Sequence, residues 1–351
     1  MGEEEINAMN RRQCLACYVL IACSLAIVLI ARATETRNGS WTIGRSDSPG
    51  TVEFSLITRQ HGGTSHHESN WPLTAFQGLD YAKAGHQEVK FTIQRDAGRF
   101  DCQGYLQDGE GAGTFHFAPD ANYSQQLKSL GFAGVDEDRQ FSLAVLDVSL
   151  EFARHIKAEN LHDLDTDKLV AFRIHGVSPE FIEALRKEGL EASDSNRLIA
   201  FRIHGVSPEM VRALHQMGYK PEEEQLVAMR IHGATPEWIQ QLRDNGYENL
   251  DIDKLIAFRI HGVSPDFIGK FESLGYKHLE PDNLVAFRIH GVSPDFVEKL
   301  RGLGFQNPSA DQLVAMRIHN VSPEYIADLQ KRGMKNLTID QLVEMRIHGI
   351  D

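Results

Sequence analysis

One phrase constrains this chain more than any other. Leu-Val-Ala-Phe-Arg-Ile-His-Gly-Val-Ser-Pro-Glu-Phe starts at Leu169, returns with small changes from Leu198, Leu226, Leu255, Leu284 and Leu313, and is cut short from Leu342. Its histidine falls at His175, His204, His232, His261, His290, His319 and His348, a period of 29 residues with one step of 28. A fixed period in the range of about 20–50 residues is the mark of stacked units, because one unit of that size cannot bury its apolar face alone. The expected fold class is mainly α: an α-solenoid of 29-residue, two-helix repeats.

Each unit reads as two short helices around a tight corner. The first starts at an acidic or Asn residue such as Asp167 or Asn196 and runs through Leu-Val-Ala-Phe-Arg-Ile-His. The second opens on Ser-Pro-Glu, with Ser178 as N-cap, Pro179 in the first turn and Glu180 at the positive end of the helix dipole. Gly follows the histidine in each copy except the sixth, which has Asn320. Asn is the residue best able to replace Gly at positive φ, so the corner is expected to be a left-handed C-cap. Earlier segments, "YSQQLKSLGF" at 123–132 and "DVSLEFARHIKAENL" at 147–161, align at the same offset with Leu146 in place of the histidine, so the array is expected to begin near Pro119.

The repeated Arg and His can be ligands or building blocks. Leu169, Val170, Phe172 and Ile174 predict a first helix buried nearly all round. His175 and its equivalents are then packed, hydrogen-bonded residues facing the next unit along with Ala171, a position that becomes Glu344 in the last copy. The arginines (Arg173, Arg202, Arg230, Arg259, Arg288, Arg317 and Arg346) would be buried and need an acid, for which Glu180, Glu209, Glu237, Asp266, Asp295 and Glu324 are the expected partners. Histidines one repeat apart would stand roughly 9–10 Å from each other, too far to share a metal ion.

Ahead of the repeats, residues 41–118 read as a small β-rich domain. Val52, Phe54 and Leu56 alternate with polar residues, as do Val89, Phe91 and Ile93, and the turns "RDAGRF" and "QDGEGAGTF" predict a three-strand meander at 88–117. The glycines at 109, 111 and 113 are not followed by Gly-Lys-Ser/Thr, so they read as a hairpin and not a phosphate loop. The stretch "RQHGGTSHHESNWP" reads as a flexible loop holding His61, His66, His67 and Glu68, the candidate metal ligands, although the pattern is not His-Glu-x-x-His. No cofactor is expected, and no nucleophile, base and orienting group can be named for an enzyme.

Residues 14–31 hold no charge and are long enough to cross a bilayer. They read as an uncleaved transmembrane anchor, ahead of signal cleavage at "ARA" (31–33) and of lipidation at "LIAC" (20–23). A tail at 1–13 precedes them and a linker at 32–40 follows. The β domain at 41–118, degenerate repeats at 119–176 and regular repeats at 177–351 complete the organisation, with the bulk expected on the extracytoplasmic side. A net charge of −13 excludes a nucleic-acid partner, because phosphate contacts need a basic surface.

The "LVAFRIHGVSPEF" units resemble helical repeats found after the peptidase domain of some bacterial antibiotic-sensor-type zinc metallopeptidases and in related membrane-anchored proteins. "FDCQGYLQDGEGAGTFHFAPD" (100–120) is similar to the segment that precedes such repeats. The resemblance spans residues 41–351 and implies an envelope location and a part in sensing. It carries no biochemical activity, since the peptidase motif is missing here. The expected role is a membrane-anchored, non-enzymatic scaffold for another envelope protein, with zinc or copper binding by repeat or loop histidines as the alternative.

Overall fold

The computed structural model describes residues 38–60 and 63–350. They are mainly helical, with an antiparallel six-stranded sheet at the N-terminal end. The expected anchor at 14–31 and His61 lie outside the described residues, among which no helix is long and apolar enough to cross a membrane. The chain divides into two compact units, Met1–Ile203 and His204–Asp351.

In the first unit the strands are β1 (Asn38–Arg45), β2 (Thr51–Gln60), β3 (Gly63–Pro72), β4 (His86–Arg95), β5 (Gly98–Gln107) and β6 (Glu110–Pro119), in the order β3-β2-β1-β6-β5-β4. The expected meander is β4-β5-β6. Its second turn has positive φ at both Asp108 and Gly109, the backbone that lets a two-residue connection follow the twist of the strands. Alternation puts Trp41, Val52, Phe54, Leu56, Phe91, Phe100 and Phe117 on one face, all buried. Trp41 is fully buried, and Gly104 and Gly113 make room for it: a Cβ at either would stand 2.8 or 2.7 Å from the indole ring. The glycine run therefore serves packing.

Sixteen helices follow among the described residues. In the first unit are α1 (Tyr123–Ser129), α2 (Glu137–Val145), α3 (Leu150–Ala158), α4 (Thr166–His175), α5 (Pro179–Lys187) and α6 (Ser195–His204), the last residue of which opens the second unit. That unit continues with α7 (Pro208–Gln216), α8 (Glu223–His232), α9 (Pro236–Asp244), α10 (Ile252–His261) and α11 (Pro265–Ser273). It ends with α12 (Pro281–His290), α13 (Pro294–Gly302), α14 (Ala310–Ile318), α15 (Pro323–Lys331) and α16 (Ile339–Ile347).

Local chemistry at the corners follows the sequence. Ser178, Ser207, Ser264, Ser293 and Ser322, with Thr235 in the third copy, each accept a hydrogen bond from the backbone N–H three residues on. Gly176, Gly205, Gly233, Gly262 and Gly291 sit at φ of 72–74°, and Asn320 at 57°. Leu and Phe of the first helix, such as Leu255 and Phe258, are buried with the Val after the corner, Val263. In the second unit α8, α10, α12, α14 and α16 pack on one another in succession.

The sheet closes the start of the helical part. Phe141 of α2 packs on Phe100, Phe115 and Phe117. Gln140 donates to the carbonyls of Ala97 and Asp120 at 2.7 and 2.6 Å, and Asp96 accepts the first N–H of α3, from Leu150, at 2.8 Å. The β4-β5 turn thus supplies an N-terminal cap that a preceding repeat would not.

The corner glycine answers two demands at once, positive φ and close approach. A Cβ at Gly262 would stand 2.5 Å from Nη2 of Arg288, whereas Gly349, also at positive φ, has nothing within 4 Å. Gly262→Ala is therefore expected to cost more than Gly349→Ala, which pays only the left-handed strain of about 1–2 kcal/mol. Urea unfolding of both variants checks this through an excess of about 1 kcal/mol or more at Gly262.

Candidate functional site

The repeated arginine is a staple between neighbouring units. Nε of Arg202 donates to the carbonyl of His175 at 3.1 Å in the first unit. In the second, Arg230, Arg259, Arg288 and Arg317 donate likewise to His204, His232, His261 and His290 at 2.9–3.1 Å. Each of these carbonyls belongs to the last turn of a helix, where oxygens lack intrahelical partners and carry the negative end of the dipole. The guanidinium plane also lies over the aromatic ring that follows Ser-Pro-Glu/Asp in the preceding repeat: Arg259 over Trp238 at 5.1 Å, Arg288 over Phe267 at 4.8 Å, Arg317 over Phe296 at 5.2 Å and Arg346 over Tyr325 at 4.8 Å. Arg173 meets the carbonyl of Leu146, the ring of Phe152 and the carboxylate of Asp147, which stands in the glycine position with φ of 53°.

The expected Arg to Asp/Glu pairing is corrected by this geometry. Glu180, Glu209, Glu237 and Glu324 turn back onto their own helix N-termini. Hydrogen bonds with the N-cap hydroxyl and the backbone N–H hold each carboxyl below the usual carboxylate range. The arginines are not deeply buried, and Arg202, Arg230, Arg259, Arg288 and Arg317 are met by a carbonyl, with a ring beside all of these but Arg230, while Arg173 also meets Asp147.

The second helices repeat the device. Arg186, Arg243 and Arg301 donate to the carbonyls of Glu159, Met217 and Leu274, and Gln330 to that of Leu303, each the C-cap of the preceding second helix. At the opposite edge of the first helices a polar ladder runs forward: Lys168 to Asn196, Gln225 to Asp253, Lys254 to Asp282 and Gln312 to Asp340.

With the arginine turned to the preceding unit and Leu and Phe turned to the core, the isoleucine faces solvent. Ile174 and Ile203 in the first unit, and Ile231, Ile260, Ile289, Ile318 and Ile347 in the second, are 40–55% exposed. This overturns the expectation of a helix buried nearly all round. At 100° per residue Ile174 lies about 140° from Leu169 and about 160° from Phe172, on the far side from the core.

All but the last of the histidines beside these isoleucines are less exposed than they are. His175 through His319 are only half-buried, and His348 is exposed beside Glu344, 2.8 Å from its carboxylate. Burial lowers the pKa of His175, His204 and His232, which favours the neutral ring. What the neighbouring unit uses of the histidine is its backbone carbonyl. A concavity of about 310 Å³ in the first unit, bordered by Phe152, His155, Arg173 and Glu180, is the seam of one such staple.

The stretch at 63–72 is strand β3, paired along its length with β2, and not the expected flexible loop. Alternation separates the candidate ligands: His66 and Glu68 share one face, His67 the other. Ser55 donates to Glu68 at 2.9 Å and lies 3.0 Å from Nε2 of His66, while Glu68 approaches that same nitrogen at 3.5 Å. A catalytic acid would hold the other ring nitrogen, so this cluster lacks the geometry that activates a serine. Compared with known families, the chain matches no family model, and no curated protein matches it.

The arginine and histidine of one corner can be separated by experiment. Arg288→Ala removes a charged hydrogen bond and a stacked ring contact, and is expected to cost about 1–3 kcal/mol. His261→Ala leaves the carbonyl in place and should cost less than about 1 kcal/mol. Chemical denaturation of the two variants gives the comparison, and a larger loss at His261 would assign the packing role to the imidazole after all.

Proposed function

We propose that the protein is a non-enzymatic binding scaffold of the bacterial envelope, tethered by residues 14–31, whose repeats build an α-solenoid that offers its first-helix face to a partner protein. One observation carries this reading: an isoleucine stands 40–55% exposed at the same position of every copy. Burying such a side chain is worth about 1.5–3 kcal/mol, and folded monomers rarely leave a series of them in water. The stapling residues supply a reason for Arg, His and Gly to recur, but none for Ile, since Thr or Lys would leave the staple intact. The envelope setting rests on the apolar run at 14–31 and on the resemblance of the repeats to those of membrane-anchored sensors.

A photo-crosslinking amino acid placed at Ile289 of the full chain, in intact cells, should yield a discrete adduct of higher mass. The same group at Glu298, exposed on α13, should not. Equal labelling at both positions, or none at either, would overturn the proposal.

A further inference from the structure

The two edges of the six-stranded sheet differ. Along β4 the chain guards its own edge: the backbone of Gln77 exchanges hydrogen bonds with that of Thr92 at 2.8 and 2.9 Å, and Lys90 stands exposed in the strand. A covering segment and a lysine are usual devices against pairing with another chain. β3 has neither. It pairs with β2 from Gly63 to Pro72 in one unbroken register without a bulge, carries no lysine or arginine, and has no proline before its last residue. Among the described residues no strand pairs with its other side. Every second residue of such an edge turns its N–H and C=O outward, so this one offers a straight template for a further strand.

We infer that β3 pairs antiparallel with β3 of a second copy of this chain, about a two-fold axis at His67, joining the two sheets edge to edge. This goes beyond the scaffold reading, and either stands without the other.

The sequence of β3 selects the occupant and the register. With the axis at His67, Thr64 stands opposite Asn70, Ser65 opposite Ser69 and His66 opposite Glu68, each pair occurring twice by symmetry. All are hydrogen-bonding pairs, and His66 with Glu68 is a complementary one. Moving the axis by one residue sets His66 against itself or Glu68 against itself. An axis between two residues turns the buried face of one sheet to the solvent side of the other. The match of His66 with Glu68 does not rely on an unanswered charge. Within one chain Glu68 already meets Ser55, Glu53 and, at 3.5 Å, Nε2 of His66. The contacts of His66 with Ser55 and Glu68 both use Nε2, which leaves Nδ1 for the carboxylate of the other copy. At the axis His67 meets its own copy. Burial, helped by the nearby His66, lowers its pKa and favours the neutral ring, which tolerates that neighbour. Overlap over residues 63–71 supplies about eight to ten main-chain hydrogen bonds, as many as a standard interface holds.

The test uses the full chain. Two differently tagged copies expressed together should be captured on one tag. His66→Glu in both copies, and His66→Lys with Glu68→Lys in both, each set like charges opposite one another and should lower capture at least ~10-fold. One copy of each kind should restore it, which also shows that both variants fold. Register is read by cross-linking in cells with copper phenanthroline as oxidant. Opposite residues of an antiparallel pair lie about 4.5–5.5 Å apart at Cα, within disulfide reach. His67→Cys should therefore add a dimer band to the pattern that Cys14, Cys17, Cys23 and Cys102 give in the unsubstituted chain. Ser65→Cys, about 14 Å from its own copy in this register, should add none. Failure of the unsubstituted copies to capture one another, indifference to both charge sets, or no recovery in the mixed pair would overturn the inference. So would a Ser65→Cys band equal to that of His67→Cys. Capture lost with Ile289→Ser and untouched by the charge sets would overturn it too, by moving the contact to the isoleucine face.

Discussion

Helix ends leave carbonyl groups without intrahelical partners, and a chain built from helices of seven to ten residues has such ends everywhere. The repeat supplies its remedy from the neighbouring unit. An arginine of one first helix donates to the terminal carbonyl of the preceding first helix, and in alternate units an arginine of the second helix does the same for the preceding second helix. Arginine suits this because its planar fork can donate in its plane while its face rests on an aromatic ring. The corner glycine is the other half of the contact, since a Cβ at Gly176, Gly205, Gly233, Gly262 or Gly291 would stand 2.5–2.9 Å from Nη2 of the next repeat's arginine. Where the neighbour is different, so is the chemistry: Asp147 takes the glycine place and answers Arg173 with a carboxylate, while on its other side it meets Arg95 from β4.

That constraint sets what is left for function. Once Leu and Phe face the core, Arg faces the preceding unit and the residue before Leu faces the following one, a short helix has one side remaining, and it carries an acid and an isoleucine seven residues apart. The surface is thus a by-product of the stapling geometry that the sequence has filled with an apolar residue. The β domain plays a different part. Its polar cluster of Ser55, His66 and Glu68 is a set of cross-strand contacts, in which hydrogen bonding with Glu68 raises the pKa of the exposed Glu53.

Much of this was legible before the structure. Gly, Ser-Pro and the 29-residue period read as left-handed corners and N-caps because those residues act through local backbone geometry, which sequence encodes directly. The meander and its glycine hairpin were legible for the same reason. Ile174 was misjudged because hydrophobicity was summed round the helix without asking which residues Leu169 and Phe172 leave opposite them. Arg173 was given an acid because an acid was nearby in sequence; its true acceptor is a backbone carbonyl, which no residue type announces. His66 and His67 were taken for a loop since polar β3 lacks the alternation of its partner, and its strand character comes from pairing with β2.

The central claim is that, where the preceding repeat supplies a ring, stacking of the arginine on that ring, and not its charge alone, holds neighbouring repeats together. A double-mutant cycle on Phe267 and Arg288 measures this directly. With Phe267→Leu, Arg288→Lys and the double variant compared by urea unfolding, the account predicts a coupling of about 0.5–2 kcal/mol, because each single change already removes the stacked contact. Strict additivity of the two losses would contradict it.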